Sequence, residues 1–345
     1  MEIGIYTFGD VGTHPITKEV IGPEQRLQNL IEEIELADQL GLDVFAVGEH
    51  HRPDYAVSAP TVVLGAAAVK TKQIRLSSAV TVLSSDDPVR VFQQFATIDL
   101  LSKGRAEIMA GRGSFIESFP LFGYDLNDYD ELFSEKLEML LKLNEEVRIT
   151  WKGKHTQSID DRGVYPRPSQ KKLPIWIAVG GTPESIVRAA EHGLPMALAI
   201  IGGTPAAFVP HMNLYKDVFE KTGHNKAEMQ LSINSHTYIA ENSQQAADEF
   251  FPPYAEVMTR IGKERGWPGT NRQQFDASLS SKGALLVGSP QQVIDKILYE
   301  HELFGHTRFL AQMSLGAMEH KKILKAIELL GTVVAPAIKK HTRNG

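Results

Sequence analysis

The chain has 345 residues, 42% of them hydrophobic and 23% charged, with 36 Lys and Arg against 42 Asp and Glu for a formal net charge of -6, and no cysteine. That balance argues against a general binder of nucleic acid or anionic membrane, so an anionic ligand has to meet a local cationic site. The missing cysteines exclude disulfides, thiolate metal sites and a cysteine nucleophile, and no apolar run approaches membrane-spanning length.

Residues 3–8 read as a first strand and 25–40 as a helix, with Leu27, Leu30, Ile31, Ile34 and Ala37 at helical spacing before Gly41 stops it. The apolar run 44–47, bounded by Gly48, reads as a buried parallel strand. Glu49, His50 and His51 follow at its C-terminal end, where α/β proteins place their chemistry. An Ala-rich helix is expected over 60–71, a β-branched third strand over 74–83, a helix from Pro88 to Gly104 and a fourth strand over 106–110. A longer helix at 130–146 precedes an irregular or hairpin excursion at 148–168 and a fifth strand at 175–179. Residues 196–201, 231–240 and 308–312 complete a set of eight. Between the last two, residues 266–281 read as an insertion or mobile lid, and 284–287 as an apolar piece returning to the barrel.

Alternation of this kind predicts an α/β fold, a closed (β/α)8 TIM barrel forming one domain over 1–345 with insertions after strands four and seven. An open doubly wound sheet is the competing architecture. The pattern opens directly on a strand, without a basic region or apolar leader, which predicts a cytoplasmic location.

Gly180, Gly181, Thr182, Pro183, Glu184 and Ser185 lie between the fifth strand and a helix. Glycines admit close backbone approach, and the free N–H groups of a helix start suit a phosphate. The same residues fit a plain helix start, with Thr182 as cap and Pro183 in the first position. Gly111, Arg112 and Gly113 follow the fourth strand, so Arg112 is expected on the same barrel face, where it can serve a phosphate or simply a surface ion pair. His50 and His51, adjacent on extended chain, point to opposite sides and are poorly placed to share a metal. No metal site is expected. One imidazole aimed into the barrel mouth suits general acid or base work near neutral pH, the other a structural hydrogen bond; the roles of Glu49 and His51 stay open. Neither a nucleophile elbow, a Walker loop nor a Rossmann glycine fingerprint is present.

Taken in order, Gly48-Glu49-His50-His51, the block from Asp87-Pro88-Val89-Arg90 to Lys103-Gly104-Arg105, Gly111-Arg112-Gly113, Gly180 to Ser185, Ala189 to Pro195 and Val287-Gly288-Ser289-Pro290 resemble the bacterial luciferase-like flavin monooxygenases, nearly end to end. The resemblance implies FMN at the C-terminal mouth, used in reduced form with O2 to oxygenate a small organic substrate. Arg112, Gly181, Thr182 and Ser185 match the family's phosphate positions, with Gly111, Gly113 and Gly180 beside them. His50 matches its active-site histidine, and Ala79-Val80 the place where a non-proline cis peptide meets the flavin ring. Ile200 stands at the luciferase tryptophan position and Gly111 at the reactive cysteine position, so the resemblance does not extend to light emission or a long-chain aldehyde. It further implies a homodimer and a separate NAD(P)H:flavin reductase. An F420-type deazaflavin hydride-transfer enzyme and a non-catalytic flavin-binding protein are the alternatives.

Overall fold

The computed structural model describes residues 1–343, so the last two residues of the expected 1–345 unit lie outside the described residues. Eight parallel strands close on themselves: β1 (Glu2–Thr7), β2 (Val44–Val47), β3 (Arg75–Ser78), β4 (Ala106–Gly111), β5 (Ile175–Val179), β6 (Met196–Ile200), β7 (Leu231–Ile239) and β8 (Arg308–Gln312). Each pairs with the next, and β8 returns to β1 through Glu2↔Arg308 to Tyr6↔Gln312. This is a closed (β/α)8 barrel, and the open doubly wound sheet is excluded.

The outer layer includes α1 (Pro23–Gln39), α2 (Pro60–Lys70), α3 (Pro88–Ser102), α4 (Tyr129–Glu145), α5 (Pro183–Glu191), α6 (Val209–Lys221), α7 (Ser243–Arg265) and α8 (Pro290–Phe304). Proline at the first turn of α1, α2, α3, α5 and α8 pre-sets φ where an N–H would be unpaired anyway. Gly41, at φ +72, follows the end of α1 as expected.

The main core lies between strands and helices, built from residues such as Ile5, Phe45, Phe92, Leu140 and Ile233. A second cluster fills the barrel itself: Tyr6, Val44, Ala46, Met109, Trp176, Ala197 and Leu310. Its bottom is closed by Arg308, which lies 4.2 Å over the Trp176 ring and pairs with the buried Glu107. The interior between the two ends is therefore packed.

One expectation needs correction. The third strand does not run unbroken over 74–83: β3 ends at Ser78, a cis Ala79-Val80 peptide turns the chain, and Thr81–Val82 pairs with β4 again before a short helical turn at Leu83–Ser85. β-branched composition cannot register such a break, because the residues on either side are strand formers. The segment 266–281 is an insertion between β7 and β8, entered from Arg265, which lies over both Phe115 and Trp267. It includes a short helix, Arg272–Ser278, whose Phe275 is buried against Phe250, Phe251 and Tyr254 of α7. The excursion expected over 148–168 is a hairpin, Arg148–Trp151 antiparallel to Ile159–Gly163, with a register shift between Ile149 and Trp151. The expected return of 284–287 is seen as Leu286–Gly288 extending beside β7. No helix among the described residues is long and apolar enough to cross a membrane.

Candidate functional site

Inward-pointing residues alternate along each strand, so what lies at the rim follows from the pleat. On β1 the inward series continues past the strand to Phe8, and on β2 it passes through Gly48 to His50. A Cβ at Gly48 would lie 2.2 Å from the Phe8 ring and 2.5 Å from the Ala79 carbonyl oxygen, so only glycine lets these three segments meet. Phe8 then stacks on His50 at 4.3 Å between centroids, with Tyr55 at 4.5 Å and Phe115 at 4.7 Å on other sides.

This aromatic collar has an electrostatic consequence. Burial, helped by the positive charges of Arg52 and His51, pushes the His50 imidazole down to about 3. His50 is therefore neutral across the physiological range, which corrects the expectation of a group titrating near neutral pH. His51 turns away from His50, its Nε2 lying 2.8 Å from Glu49 Oε1, while Glu49 Oε2 accepts from the Val82 N–H at 3.1 Å.

A cavity of about 300 Å³ opens beside the collar. Of the residues singled out in the sequence, His50, Ala79, Val80, Gly111, Arg112, Gly113, Gly180, Thr182 and Ser185 all line it. Gly181 does not: it sits one position behind the wall at φ +105, and its carbonyl oxygen lies 2.8 Å from His211 Nε2. Gly111 brings β4 against the cis turn, since a Cβ there would approach the Val80 side chain to 2.8 Å.

At the polar end, Arg112 Nη2 donates to Thr182 Oγ1 at 3.0 Å, and Thr182 Oγ1 donates to Ser185 Oγ at 2.9 Å. Thr182 is the cap residue of α5 by position, yet its side chain makes no cap bond. The plain capping reading therefore does not account for it. Arg112 also pairs with the exposed Asp130 and lies 5.0 Å over the Tyr129 ring. Tyr129 in turn donates from its hydroxyl to the Gly113 carbonyl oxygen at 2.7 Å, fixing the turn.

Arg188 of α5 adds a second guanidinium. Burial and the nearby charge of Arg112 hold its pKa below the ordinary range, and its buried Nη1 has no partner. The Arg112 guanidinium, two hydroxyls and a helix start are a donor set that suits a terminal phosphate, while Arg188 stands near Arg112 outside the cavity lining. The other walls, Phe8, Val80, Val82, Ala178 and Ala199, are apolar and suit a flat ring.

Phe8, Tyr129 and Arg188 escaped the sequence reading. Phe8 was accessible from the inward alternation of residues 4, 6 and 8, whereas Tyr129 and Arg188 sit on helices and carry no local signal. Elsewhere, Asp128, Glu131 and His155 bring ligand atoms within 4.8 Å of one another outside the cavity lining, where Lys154 already pairs with Glu131.

The family model for luciferase-like monooxygenase matches residues 1–307. The alkanal monooxygenase alpha chain of Aliivibrio fischeri is 23% identical over 328 residues, covering 88% of this chain and 90% of that one. Among solved structures, monooxygenase RslO1 from Streptomyces bottropensis has a TM-score of 0.83 at 24% identity, covering 97% of this chain and 99% of its own. The oxygenating constituent of 3,6-diketocamphane monooxygenase of Pseudomonas putida, in complex with FMN, has a TM-score of 0.76 at 19% identity, with 98% of both chains covered. The coenzyme F420 dependent tetrahydromethanopterin reductase of Methanopyrus kandleri has 0.75 at 18%, covering 98% of this chain and 99% of that one. These structures share the barrel. The family match spans β1 to β7 and includes every residue lining the cavity, and on that ground the chain belongs to the luciferase-like monooxygenase family.

Proposed function

We propose that the protein is an FMN-dependent monooxygenase that uses reduced FMN and O2 to oxygenate a small organic substrate. The observation that carries this reading is one cavity with a cationic, hydroxyl-bearing end at Arg112, Thr182 and Ser185 and an apolar wall at Ala79, Val80, Ala178 and Ala199 beside His50. That polarity fits a phosphate joined to a planar ring.

In this reading Arg112, Thr182 and Ser185 hold the phosphate, with Gly180, Gly181 and the first N–H groups of α5 completing the cup and Arg188 standing behind it. Gly111 and Gly113 would line the cavity between the phosphate end and the ring wall, where a Cβ at either would meet Val80 or Val82. Ala79, Val80, Ala178 and Ala199 hold the ring and exclude water. Reduced FMN supplies two electrons for the reaction with O2, in which one oxygen atom enters the substrate and the other leaves as water. His50, neutral and collared by Phe8, Tyr55 and Phe115, accepts a proton from the reacting groups at a ring nitrogen. A separate NAD(P)H:flavin reductase delivers the reduced cofactor, since the chain has no nicotinamide fingerprint.

The rival is an F420-type hydride-transfer enzyme, supported by the fold similarity to the F420 dependent reductase. The family description and the similarity to alkanal monooxygenase favour oxygen chemistry. Titration with oxidised and reduced FMN and with F420, followed by fluorescence, tests the cofactor, and oxygen consumption over a panel of small organic compounds tests the chemistry. Tight binding of F420 without FMN binding would overturn the proposal.

A further inference from the structure

Behind the cofactor cavity lies a second, smaller chamber of about 140 Å³, lined by Glu49, His51, Ser58, Thr61, Thr81, Ser85, Asp86, Gln94 and Phe122 among others. Glu49 lines both spaces. It is the partition between them, anchored by the Val82 N–H on Oε2 and by His51 Nε2 on Oε1.

The chamber is polar in a way packing alone does not explain. Thr81 is 3% exposed, lines it, and has a hydroxyl with no partner in the protein. A buried hydroxyl left free costs stability unless water meets it. The space is large enough for several waters, and Glu49, His51, Thr61, Thr81, Ser85 and Asp86 offer them polar partners. At the outer edge the Phe122 ring, 54% exposed, stands edge-on to His51 at 5.3 Å between centroids.

We propose that Glu49 and His51 form a proton relay that connects this water-holding chamber to the cofactor cavity. The inference rests on the FMN reading above. A proton from chamber water binds His51 at Nδ1, the Nε2–H bond breaks as a bond to Glu49 Oε1 forms, and the Glu49 carboxyl then releases a proton to a base in the cavity. One proton enters, one leaves, and His51 is neutral again; the reverse flow removes protons.

Asp86 stands at the chamber wall as the entry group. Burial, reinforced by the negative charges of Glu49 and Asp87 and opposed by Lys136, brings its carboxyl up to about 6, where it exchanges protons with water near neutral pH. Glu49 borders both spaces, so a proton drawn from the chamber reaches the cofactor cavity through its carboxyl group.

The test is anaerobic photoreduction of FMN-loaded protein, with proton uptake followed by a pH-indicator dye. Wild type takes up its proton in step with flavin reduction. Glu49→Gln and His51→Ala bind FMN yet lag by roughly 10²-fold, the lower end of what a positioned acid or base contributes. External imidazole restores the rate in His51→Ala and not in Glu49→Gln, an outcome a merely structural role of His51 would not produce. Should either variant fail to fold, Asp86→Asn carries the same comparison, with slowed uptake expected. FMN bound with unchanged proton uptake would overturn the relay alone; failure of the wild type to bind FMN would overturn it together with the cofactor assignment.

Discussion

Arg112 and Thr182 stand 70 residues apart in the chain and are joined by a hydrogen bond of 3.0 Å between Nη2 and Oγ1. The bond links the turn after β4 to the start of α5 and sets the cationic end of the cavity. Arg112→Ala should weaken FMN binding by about 10- to 100-fold, the value of one charge-assisted bond of roughly 1.5–3 kcal/mol. Arg112→Lys should recover part of that loss, because a point charge replaces the fork without its geometry. Fluorescence titration at two salt concentrations checks both; equal affinity in wild type and Arg112→Ala would remove the guanidinium from the phosphate site.

His50→Ala should leave FMN affinity within a few fold and lower turnover by about 10²- to 10⁴-fold. Because the His50 imidazole titrates at about 3, its charge does not change between pH 5 and 9. An acid limb of the rate profile within that range must therefore persist in slower variants such as His50→Gln. If the limb disappears on substitution, the imidazole is not the neutral base described.

Gly111→Ala tests the close approach of β4 to the cis turn. The added methyl meets Val80 atoms at 2.8, 3.0 and 3.1 Å, so the wall beneath the ring has to shift. Reduced flavin affinity with little loss of thermal stability is the expected pattern, since Val80 borders open cavity. Calorimetry beside the binding titration separates the two effects.

Far from the site, two buried groups set opposite pH limits on stability. Burial depresses His306 to about 3, below its unfolded value of about 6.5, so its contribution is present above pH 6.5 and is lost as pH falls toward 3. Burial raises Glu300 to about 8, so its contribution is present below its unfolded value of 4.5 and is lost as pH rises through 8, with Lys296 opposing the shift. Each proton changes the slope by at most about 1.4 kcal/mol per pH unit. Denaturant titrations should show His306→Leu flattening the acid side and Glu300→Gln the alkaline side.

The barrel was legible in the sequence because buried parallel strands are short apolar runs and their helices carry a 3.6-residue stripe, both local signals. For the same reason Gly180 to Ser185 and Gly111 to Gly113 stood out: glycine beside a strand end reports a backbone constraint that belongs to the residue itself. What only the tertiary structure decided was which side chains meet. The stacking of Phe8 on His50, and with it the neutrality of the imidazole, depends on a glycine at 48 whose absent side chain leaves room for a ring from another strand. The partition formed by Glu49 and the placing of Arg188 behind the cup likewise arise from strand closure, which brings distant segments together at distances no local pattern encodes. Burial and charge environment are sums over those neighbours, so the protonation states that govern the chemistry became readable only once the barrel was closed.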